Sequence, residues 1–586
     1  MTFISSYNII SSLGFSTAEN LNKIRKNESG IHLSQNKKLS PQDVYVSLIS
    51  DKEIENNFNT ISSKNIFTKY EKLLILSVLD ALHNSKINIR SNDTVFIFST
   101  TKGNIDLLEN KQLKNEDKER LKLWKSSEII SDFFKKNDNI LTISNACISG
   151  SLAVIVAQRL IDAGIYKHAV VCGADILSEF TLSGFQAFKA VSEGPCKPFD
   201  SDRTGMTPGE GAATLILTSK KSLATKPEIQ IAGGASTNDA NHISGPSRTG
   251  EELAFAIKNA LKESRLTSEE IDFISGHGTA TPYNDETESK ALEISGLQNV
   301  PLTGTKGYIG HTFGATGIIE TIIAAEAIKN SEIYKTIGFS NLGVSGKIKI
   351  QKEYKKTRLK SALKTASGFG GCNAALILKK ENSDKKINSP KKSQFNILKK
   401  VVIQNNSVII NDKDDYKNTE TDKNEFSKFA KSIYKHYNIK YPKFYKMDNL
   451  SKLGFLAADI LLKNTDITSK YQNEEIAVIL SNGSSSLNTD FEYQKTINNR
   501  TDYFPSPAVF VYTLANIVIG EICIKHKIKG ENTVFIEKNF NKSFIFDYVN
   551  ILFHTGKAKL CINGRIDFSY PKGNYYAELY LSETRK

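Results

Sequence analysis

Short apolar runs rich in valine and isoleucine alternate with amphipathic segments of helix length up to about Lys380, and this alternation restricts the fold more than any other feature. The runs include DTVFIFST, HAVVCGADIL and GAATLILT. Unbroken apolar strands are typical of sheets that helices cover on both faces. We therefore predict an α/β fold. Because 586 residues exceed the size at which a single hydrophobic core stops growing, we also expect more than one domain.

The composition is that of a soluble globular protein, with 39% hydrophobic and 24% charged residues. No segment approaches the ~18 apolar residues that a membrane helix needs, and the N-terminus lacks the basic and apolar regions of an export signal. We therefore expect a cytoplasmic protein without a membrane span. Six dispersed cysteines form no CxxC pair and no Cys/His cluster, which indicates free thiols rather than disulfides or a zinc site.

The net charge of +14 permits attraction to an acidic partner. Lysine is abundant throughout the chain, however, so charge alone carries little weight. Basic stretches such as KKINSPKK contain no interleaved aromatic residues. We therefore expect no nucleic-acid binding.

A polar, charged segment without periodicity, residues 382–395, follows the apolar strand NAALILKK and is the best candidate for a linker. Beyond it the chain repeats part of its beginning. TKYEKLLILSVLDALHNSKI followed by NDTVFIFSTTKGNIDLLE matches MDNLSKLGFLAADILLKNTDI followed by NEEIAVILSNGSSSLNTDFEYQ, each a helix, a strand and a Gly/Ser turn. Where the first copy carries Cys147, the second reads EKNFNKSF and has no cysteine.

Cys147 lies in SNACISGS, between a strand-like run from Ile140 and a helical pattern from Ser149 that ends near Gly164. A thiol at a helix N-terminus meets the positive end of the helix dipole, which lowers its pKa and favours the nucleophilic thiolate. The small neighbouring residues leave room for a substrate. The alternative is a structural thiol, because free cysteine is among the most buried residue types.

Three further segments have the character of functional loops. SGHGTATPYNDETE places His277 after a short strand, and GTKGYIGHTFGATG places Lys306 and His311 before an apolar helix. TASGFGGCNAALIL forms a glycine-rich hairpin around Phe369. None of them is specific alone.

Together and in this order, these segments resemble the β-ketoacyl-ACP synthases of the thiolase superfamily, over about residues 1–380. GPCKPFDSDRTGMTPGEGAA resembles the family's segment between the two halves of the fold. The resemblance implies a thiolase-like, five-layered αβαβα fold of two βαβαβαββ halves, residues 1–215 and 216–381. It also implies an acyltransferase that needs no cofactor, with substrates carried on the phosphopantetheine of an acyl carrier protein.

The resemblance assigns Cys147 as the nucleophile that accepts an acyl chain. His277 and His311 would stabilise the enolate formed when the malonyl group loses carbon dioxide. The backbone N–H groups of Cys147 and Phe369 would bind the tetrahedral oxygen. Lys306 would tune the local field, or would form a structural ion pair with Glu288.

The remaining assignments concern the substrate channel. Thr279 and Thr281 would bind the phosphopantetheine arm or simply cap a turn. Phe369 would also be the gating aromatic, and Ser367 replaces a second aromatic that relatives often carry. We predict packing roles for the other cysteines discussed, namely Cys172, Cys372 and Cys523.

Residues 396–586 resemble the N-terminal half of the same fold but have no nucleophile and no later histidine loops. We expect this region not to catalyse condensation. It would instead dock on a ketosynthase surface as a chain-length-factor-like partner, which gives a homodimer, heterodimer or pseudo-dimer. The competing function for the whole chain is a non-catalytic partner or scaffold of another ketosynthase, and pigment pathways of the aryl-polyene type are an analogy only.

Overall fold

The structure is a computed structural model. It describes residues 1–62, 66–110, 112–380, 395–419, 425–465, 467–499, 503–570 and 573–585. The predicted linker, 382–395, lies outside the described residues except for Phe395, which begins a strand. We call the part up to Thr218 the N-half, the part from Ile229 to Lys380 the C-half, and the part from Phe395 onward the appended module.

The N-half forms a sheet of strand order β5-β4-β6-β7-β1, in which β4, β5 and β6 are parallel. The predicted boundary after residue 215 falls inside β7, so the division lies after Thr218. The strands of the N-half are β1 (Thr2–Ser11), β2 (His32–Ser34), β3 (Val44–Val46), β4 (Thr94–Ser99), β5 (Ile140–Ile143), β6 (His168–Asp175) and β7 (Gly211–Thr218). Its helices are α1 (Thr17–Arg25), α2 (Asp51–Asn59), α3 (Lys69–His83), α4 (Asn115–Arg120), α5 (Leu123–Phe133), α6 (Ser149–Asp162) and α7 (Glu179–Ala187).

The C-half repeats this arrangement with the strand order β8-β15-β14-β9-β10-β12. Its strands are β8 (Ile229–Asn238), β9 (Phe273–Ser275), β10 (Pro301–Thr303), β11 (Glu332–Ile333), β12 (Lys349–Ile350), β13 (Lys355–Lys356), β14 (Ser361–Gly368) and β15 (Cys372–Lys380). Its helices are α8 (Glu251–Ser264), α9 (Pro282–Ile294), α10 (Lys306–Ile309) and α11 (Thr316–Asn330).

Helices α6 and α11 pack against each other between the two sheets, while α3 covers the outer face of one sheet and α8 that of the other. The sequence explains this placement. Helix α6 is apolar on nearly every side and buried along its length, as a helix between two sheets must be, and α11 is similar. Helix α3 begins at a capping box of Thr68 and Glu71. The result is the predicted five-layered, thiolase-like αβαβα fold.

The appended module has the strand order β20-β19-β21-β22-β16, which is the order of the N-half, and β17 and β18 extend its edge. Its strands are β16 (Phe395–Gln404), β17 (Ser407–Ile410), β18 (Lys413–Lys417), β19 (Ile476–Asn482), β20 (Asn532–Ile536), β21 (Leu560–Phe568) and β22 (Tyr575–Thr584). Its helices are α12 (Phe426–His436), α13 (Asn449–Leu462), α14 (Ile467–Lys470), α15 (Leu487–Lys495), α16 (Pro507–Phe510), α17 (Ile517–His526) and α18 (Lys542–His554). The incomplete thiolase-like half predicted from the internal repeat is therefore confirmed.

The appended module continues the sheet of the N-half. Strand β20 pairs antiparallel with β5 at Phe535 and Ile143. Buried polar contacts reinforce the junction, since Arg159 of α6 forms an ion pair with Glu531 at 2.5 Å. The two regions face each other through equivalent strands.

Among the described residues no single helix is both long and apolar enough to cross a membrane. The bent pair Pro507–Thr513 and Ile517–His526 passes that test on length and composition only.

Candidate active site

The turn that carries Cys147 joins β5 to α6 and is strained at one residue. Ala146 has a φ of +46°, a left-handed conformation that residues with a Cβ seldom adopt. The Ser149 hydroxyl fixes the turn, because it accepts a hydrogen bond from the Asn145 amide at 2.8 Å and donates one to the Ala146 carbonyl at 2.6 Å. This strain is not predictable from the sequence, because the residue concerned is not a glycine.

The side chains of Cys147, His277 and His311 line one cavity of about 470 Å³. They come from three loops, one after β5, one after β9 and one after α10. The two imidazole rings lie 5.5 Å apart, centroid to centroid, and are nearly perpendicular. A close backbone contact brings the loops together, since a Cβ on Gly150 would lie 2.8 Å from the carbonyl oxygen of Gly314. The sequence prediction that these three side chains converge is confirmed.

Hydrogen bonds assign the same tautomer to both histidines. The backbone amide of Phe313 donates to Nδ1 of His311 at 3.1 Å, and the Lys306 ammonium lies 3.4 Å from Nδ1 of His277. Each Nδ1 therefore accepts, and each Nε2 carries the proton. Burial, reinforced by the positive charge of Lys306, holds the pKa of both imidazoles well below the ordinary value. The site thus holds two neutral imidazoles, each with one N–H to donate.

Lys306 is a buried cation whose carboxylate partner is Glu320, at 2.8 Å. The suggested pairing of Lys306 with Glu288 is therefore wrong. Glu320 also pairs with Lys364 at 2.6 Å, and the two cations bring its pKa below the ordinary value although burial alone would raise it. Glu320 and Lys364 were not predicted as part of the site, although their sequence positions indicate buried charges. Each is a charged residue inside an otherwise apolar helix or strand, where an unpaired charge is not tolerated.

Glu288 instead shapes the loop that carries His277. Its carboxylate accepts the backbone amides of His277 and Gly278 at 2.7 and 2.8 Å, and the hydroxyl of Thr365 at 2.5 Å. The side chain is buried in α9. Glu288 therefore fixes the backbone conformation of the loop that carries His277.

Burial raises the pKa of the Cys147 thiol to about 12, although the Lys306 ammonium acts in the opposite direction. The expectation that the helix N-terminus would lower this pKa is therefore wrong. The cost of burying an anion exceeds what the Lys306 cation and a backbone hydrogen bond return. Burial therefore disfavours the thiolate form of Cys147.

The other residues predicted for the substrate channel also line the large cavity. Thr279 and Thr281 do so, and their hydroxyls lie 2.8 Å apart. Ser367 lines it as well and donates to Oδ1 of Asn373 at 2.7 Å. Phe369 packs between Phe185 and Phe188, with ring centroids 5.8 and 5.4 Å away.

A second, smaller cavity of about 20 Å³ adjoins the first, and Cys147, Phe185 and Phe369 line both. Space of this size holds roughly one water-sized group. Phe510 and Leu514 of the appended module form part of its wall. The N-half and the appended module therefore share the lining of the small cavity.

All six cysteines are free, and five of them are buried. Cys172 and Cys523 belong to the hydrophobic core, as predicted. Cys372 is buried beside the site, where its thiol lies 3.3 Å from the carbonyl oxygen of Phe369. Burial raises the pKa of Cys372 well above the ordinary value.

Comparison with known protein families gives two matches. Residues 10–222 match the model described as beta-ketoacyl synthase, N-terminal domain, and residues 229–340 match the model for the C-terminal domain. Together the two models cover more than half of the chain. Among curated proteins, 3-oxoacyl-[acyl-carrier-protein] synthase 2 of Rhizobium meliloti is 33% identical over 254 residues, which are 41% of this chain and 60% of that protein. The chain thus spans about six-tenths of the length of this relative.

Two solved structures show the fold. A ketosynthase (ApeO) in complex with its chain length factor (ApeC) from Xenorhabdus doucetiae has a TM-score of 0.54 and 23% identity, covering 65% of this chain and 98% of that one. A structure described as PfaC keto synthase-chain length factor has a TM-score of 0.78 and 13% identity, covering 100% of this chain and 78% of that one. The second likeness includes the appended module.

Proposed function

Because the chain belongs to the β-ketoacyl synthase family, we propose that it is a condensing enzyme that joins a malonyl thioester to an acyl group held on Cys147. The observation that carries this proposal is the convergence of Cys147, His277 and His311 on one cavity. The thiol supplies a place for the acyl group, and the two N–H groups supply a place for an oxygen anion. The reaction belongs to fatty-acid or polyketide synthesis.

In the first step, Cys147 attacks the thioester of an acyl carrier. The new C–S bond forms as the bond to the carrier sulfur breaks, and the proton of the Cys147 thiol passes to the departing carrier thiolate. The backbone N–H groups of Cys147 and Phe369 would stabilise the tetrahedral oxygen between the two states. The high pKa of Cys147 means that proton loss accompanies the attack rather than preceding it.

In the second step, the bond between the malonyl carboxylate and the neighbouring carbon breaks, and carbon dioxide leaves. The two electrons of that bond stay on the thioester and form an enolate. His277 and His311 would donate their Nε2 protons in hydrogen bonds to the enolate oxygen. Neutral imidazoles suit this task because they stabilise the anion without giving up a proton to it. The enolate carbon then attacks the Cys147 thioester, the C–S bond breaks, and a proton from solvent restores the thiol.

The substrates would arrive on the phosphopantetheine arm of an acyl carrier protein, and no cofactor of the enzyme's own is required. The large cavity supports this, because it extends from Cys147 past Thr279 and Thr281 to Tyr283, whose side chain is 75% exposed. Paired hydroxyls along such a channel suit the amides of the arm. The net charge of +14 suits an acidic carrier.

We propose that the appended module serves as a built-in, non-catalytic partner of the chain-length-factor type. The pairing of β20 with β5 supports this, as does the contribution of Phe510 and Leu514 to the small cavity. The chain would then be a pseudo-dimer. Light scattering on the full chain, compared with a chain ending at Lys380, tests this role, and unchanged assembly and activity after truncation would contradict it.

The condensing activity is tested with acyl-carrier and malonyl-carrier substrates. We expect an acyl adduct on Cys147 by intact-protein mass spectrometry, release of carbon dioxide, and a β-ketoacyl product two carbons longer than the acyl donor. A protein that forms no adduct and releases no carbon dioxide with any of a series of acyl donors is instead a non-catalytic partner.

A further inference from the structure

Phe369 stands where the two cavities meet, and it lines both. It belongs to the tight hairpin between β14 and β15, in which Gly370 and Gly371 have φ values of +88° and +70°. Glycine adopts this left-handed conformation without strain. The position of Phe369 therefore depends on what holds this short hairpin in place.

Two hydrogen bonds from the C-half hold Gly370. Its amide donates to the carbonyl of Ile243 at 2.6 Å, and its carbonyl accepts from Nδ2 of Asn238 at 2.9 Å. Neither bond reaches Phe369 itself. The C-half thus anchors the hairpin one residue beyond the aromatic.

The appended module holds Phe369 directly. Nδ2 of Asn516, at the start of α17, donates to the carbonyl oxygen of Phe369 at 2.7 Å. The Asn516 side chain is only 2% exposed, so water does not compete for this bond. The thiol of Cys372 is a second, weaker donor to the same carbonyl, at 3.3 Å.

The two chain segments fit together closely at this point. A Cβ on Gly370 would lie 2.4 Å from Nδ2 of Asn516, and a Cβ on Gly520 would lie 2.9 Å from the carbonyl oxygen of Gly370. Glycines on both sides therefore allow α17 to lie against the hairpin. On the catalytic side, Gly368 lies against the backbone amide of Cys147, from which its Cβ would be 3.1 Å away.

We propose that Asn516 is a positioning residue, through which the appended module holds the Phe369 hairpin closed against Cys147. This inference rests on the proposed condensing function. The hydrogen bond keeps the Phe369 backbone in register with the Cys147 amide, so that both N–H groups serve the tetrahedral oxygen. It also keeps the aromatic ring between the two cavities. Asn516 thus acts on the chemistry without touching the substrate, because it lines neither cavity.

Two of the three chemical steps would use the backbone N–H of Phe369, and the third would not. Acylation of Cys147 and condensation both pass through a tetrahedral oxygen, whereas decarboxylation of the malonyl thioester uses His277 and His311. Loss of one oxyanion donor lowers such rates by about 10²–10³-fold, and a misplaced donor by less. Weakening the hold on Phe369 should therefore slow acylation and condensation and spare decarboxylation.

The test uses the full chain with Asn516→Ala, which removes the donor, and Asn516→Asp, which keeps the size but offers no N–H from a carboxylate. We expect both variants to lose about 10- to 100-fold in the rate of Cys147 acylation and in condensation. Carbon dioxide release from malonyl-carrier should stay within about threefold of the unmodified chain. Mass spectrometry of samples quenched at successive times measures acylation and condensation, and a carbon dioxide assay measures decarboxylation.

The matched control is Tyr548→Phe, which removes a different buried hydrogen bond between the regions, that of the Tyr548 hydroxyl with Nη1 of Arg159 at 2.9 Å. It should lower the melting temperature while leaving the ratio of acylation to decarboxylation unchanged. Equal losses in all three rates for the Asn516 variants, or unchanged acylation, would overturn the proposal. An unmodified chain with neither acylation nor decarboxylation would instead refute the condensing function itself.

Discussion

The N-half and the appended module have the same strand order, but the turns that follow the two strands at the junction, β5 and β20, differ completely. After β5 the turn presents Cys147 to an open cavity. At the corresponding end of the appended sheet, charged side chains form a hydrogen-bonded network. Arg565 donates to the Asp567 carboxylate at 2.9 Å and to the Lys538 carbonyl at 3.2 Å, while Ser481 donates to the Glu537 carboxylate. One topology therefore carries the proposed reaction site in one copy and the proposed support in the other, so the fold alone does not determine function.

The largest expected effect comes from Cys147→Ala. We expect no acyl adduct and a loss of condensation of at least ~10⁴-fold, because the covalent intermediate cannot form. Decarboxylation should survive, since both histidines remain. The matched variant for the appended module is Asn539→Cys, four residues beyond Phe535, the strand residue that faces Ile143. An acyl adduct on Asn539→Cys in a Cys147→Ala background would break the comparison between the two turns.

The next effect concerns the junction between the two regions. In Glu531→Gln, Arg159 keeps a buried charge without its partner, which typically costs ~3–5 kcal/mol of unfolding free energy. Urea unfolding measures this loss. The double variant Arg159→Met with Glu531→Leu removes both charges and should lose less than the single variant. A single variant within ~1 kcal/mol of the original chain would show that this ion pair does not hold the appended module in place.

A smaller effect is expected for the small cavity, if it receives the acyl chain held on Cys147. Phe510→Ala removes one wall of the small cavity, so acylation by an eight-carbon donor should rise about tenfold relative to a two-carbon donor. Phe546→Ala is the control, because Phe546 packs against Phe395 and Tyr580 in the appended module and lines neither cavity. Competition between the two donors, followed by mass spectrometry, gives the ratio. The same shift in Phe546→Ala would mean that the selectivity reflects general loosening of the module.

The smallest effect is expected for pH, on which the rate of decarboxylation should hardly depend. The pKa of both His277 and His311 lies well below the ordinary value, so the imidazoles stay neutral as the pH falls through 6.5. Decarboxylation by the Cys147→Ala variant should therefore change by less than about twofold between pH 7.5 and pH 6. Carbon dioxide release from malonyl-carrier measures it. A midpoint near pH 6.5 would show that the imidazoles are not held neutral by burial and Lys306.

The sequence predicted the layers of the fold and the convergence of Cys147, His277 and His311, because each lies in a short motif with characteristic neighbours. It also predicted the internal repeat, since the helix, strand and turn pattern survives without the cysteine. What it missed depends on contacts between distant segments. The direction of the Cys147 pKa was wrong because local position suggested a dipole effect, whereas the closed surroundings decide the result.

The ion-pair partner of Lys306 was also wrong, because sequence order does not show that α11 brings Glu320 within 2.8 Å. Asn516 and Phe510 escaped notice for a related reason. They lie in PSPAVFVYTLANIVIGEICIKH, which resembles the family's N-terminal half but contains no catalytic pattern, and contacts between distant segments bring it to the loops around Cys147. Residues that act across an interface leave little trace in their own local sequence.

The pairing of β20 with β5 also has a consequence for stoichiometry. A separately encoded partner must be expressed in balance with its enzyme and separates from it on dilution, whereas a covalently linked one is present at a high and constant effective concentration. In the proposed pseudo-dimer, each Cys147 would therefore come with its own supporting module in a fixed one-to-one ratio. Because β20 already pairs with β5, a separate homologous partner would have to displace the appended module to reach that strand.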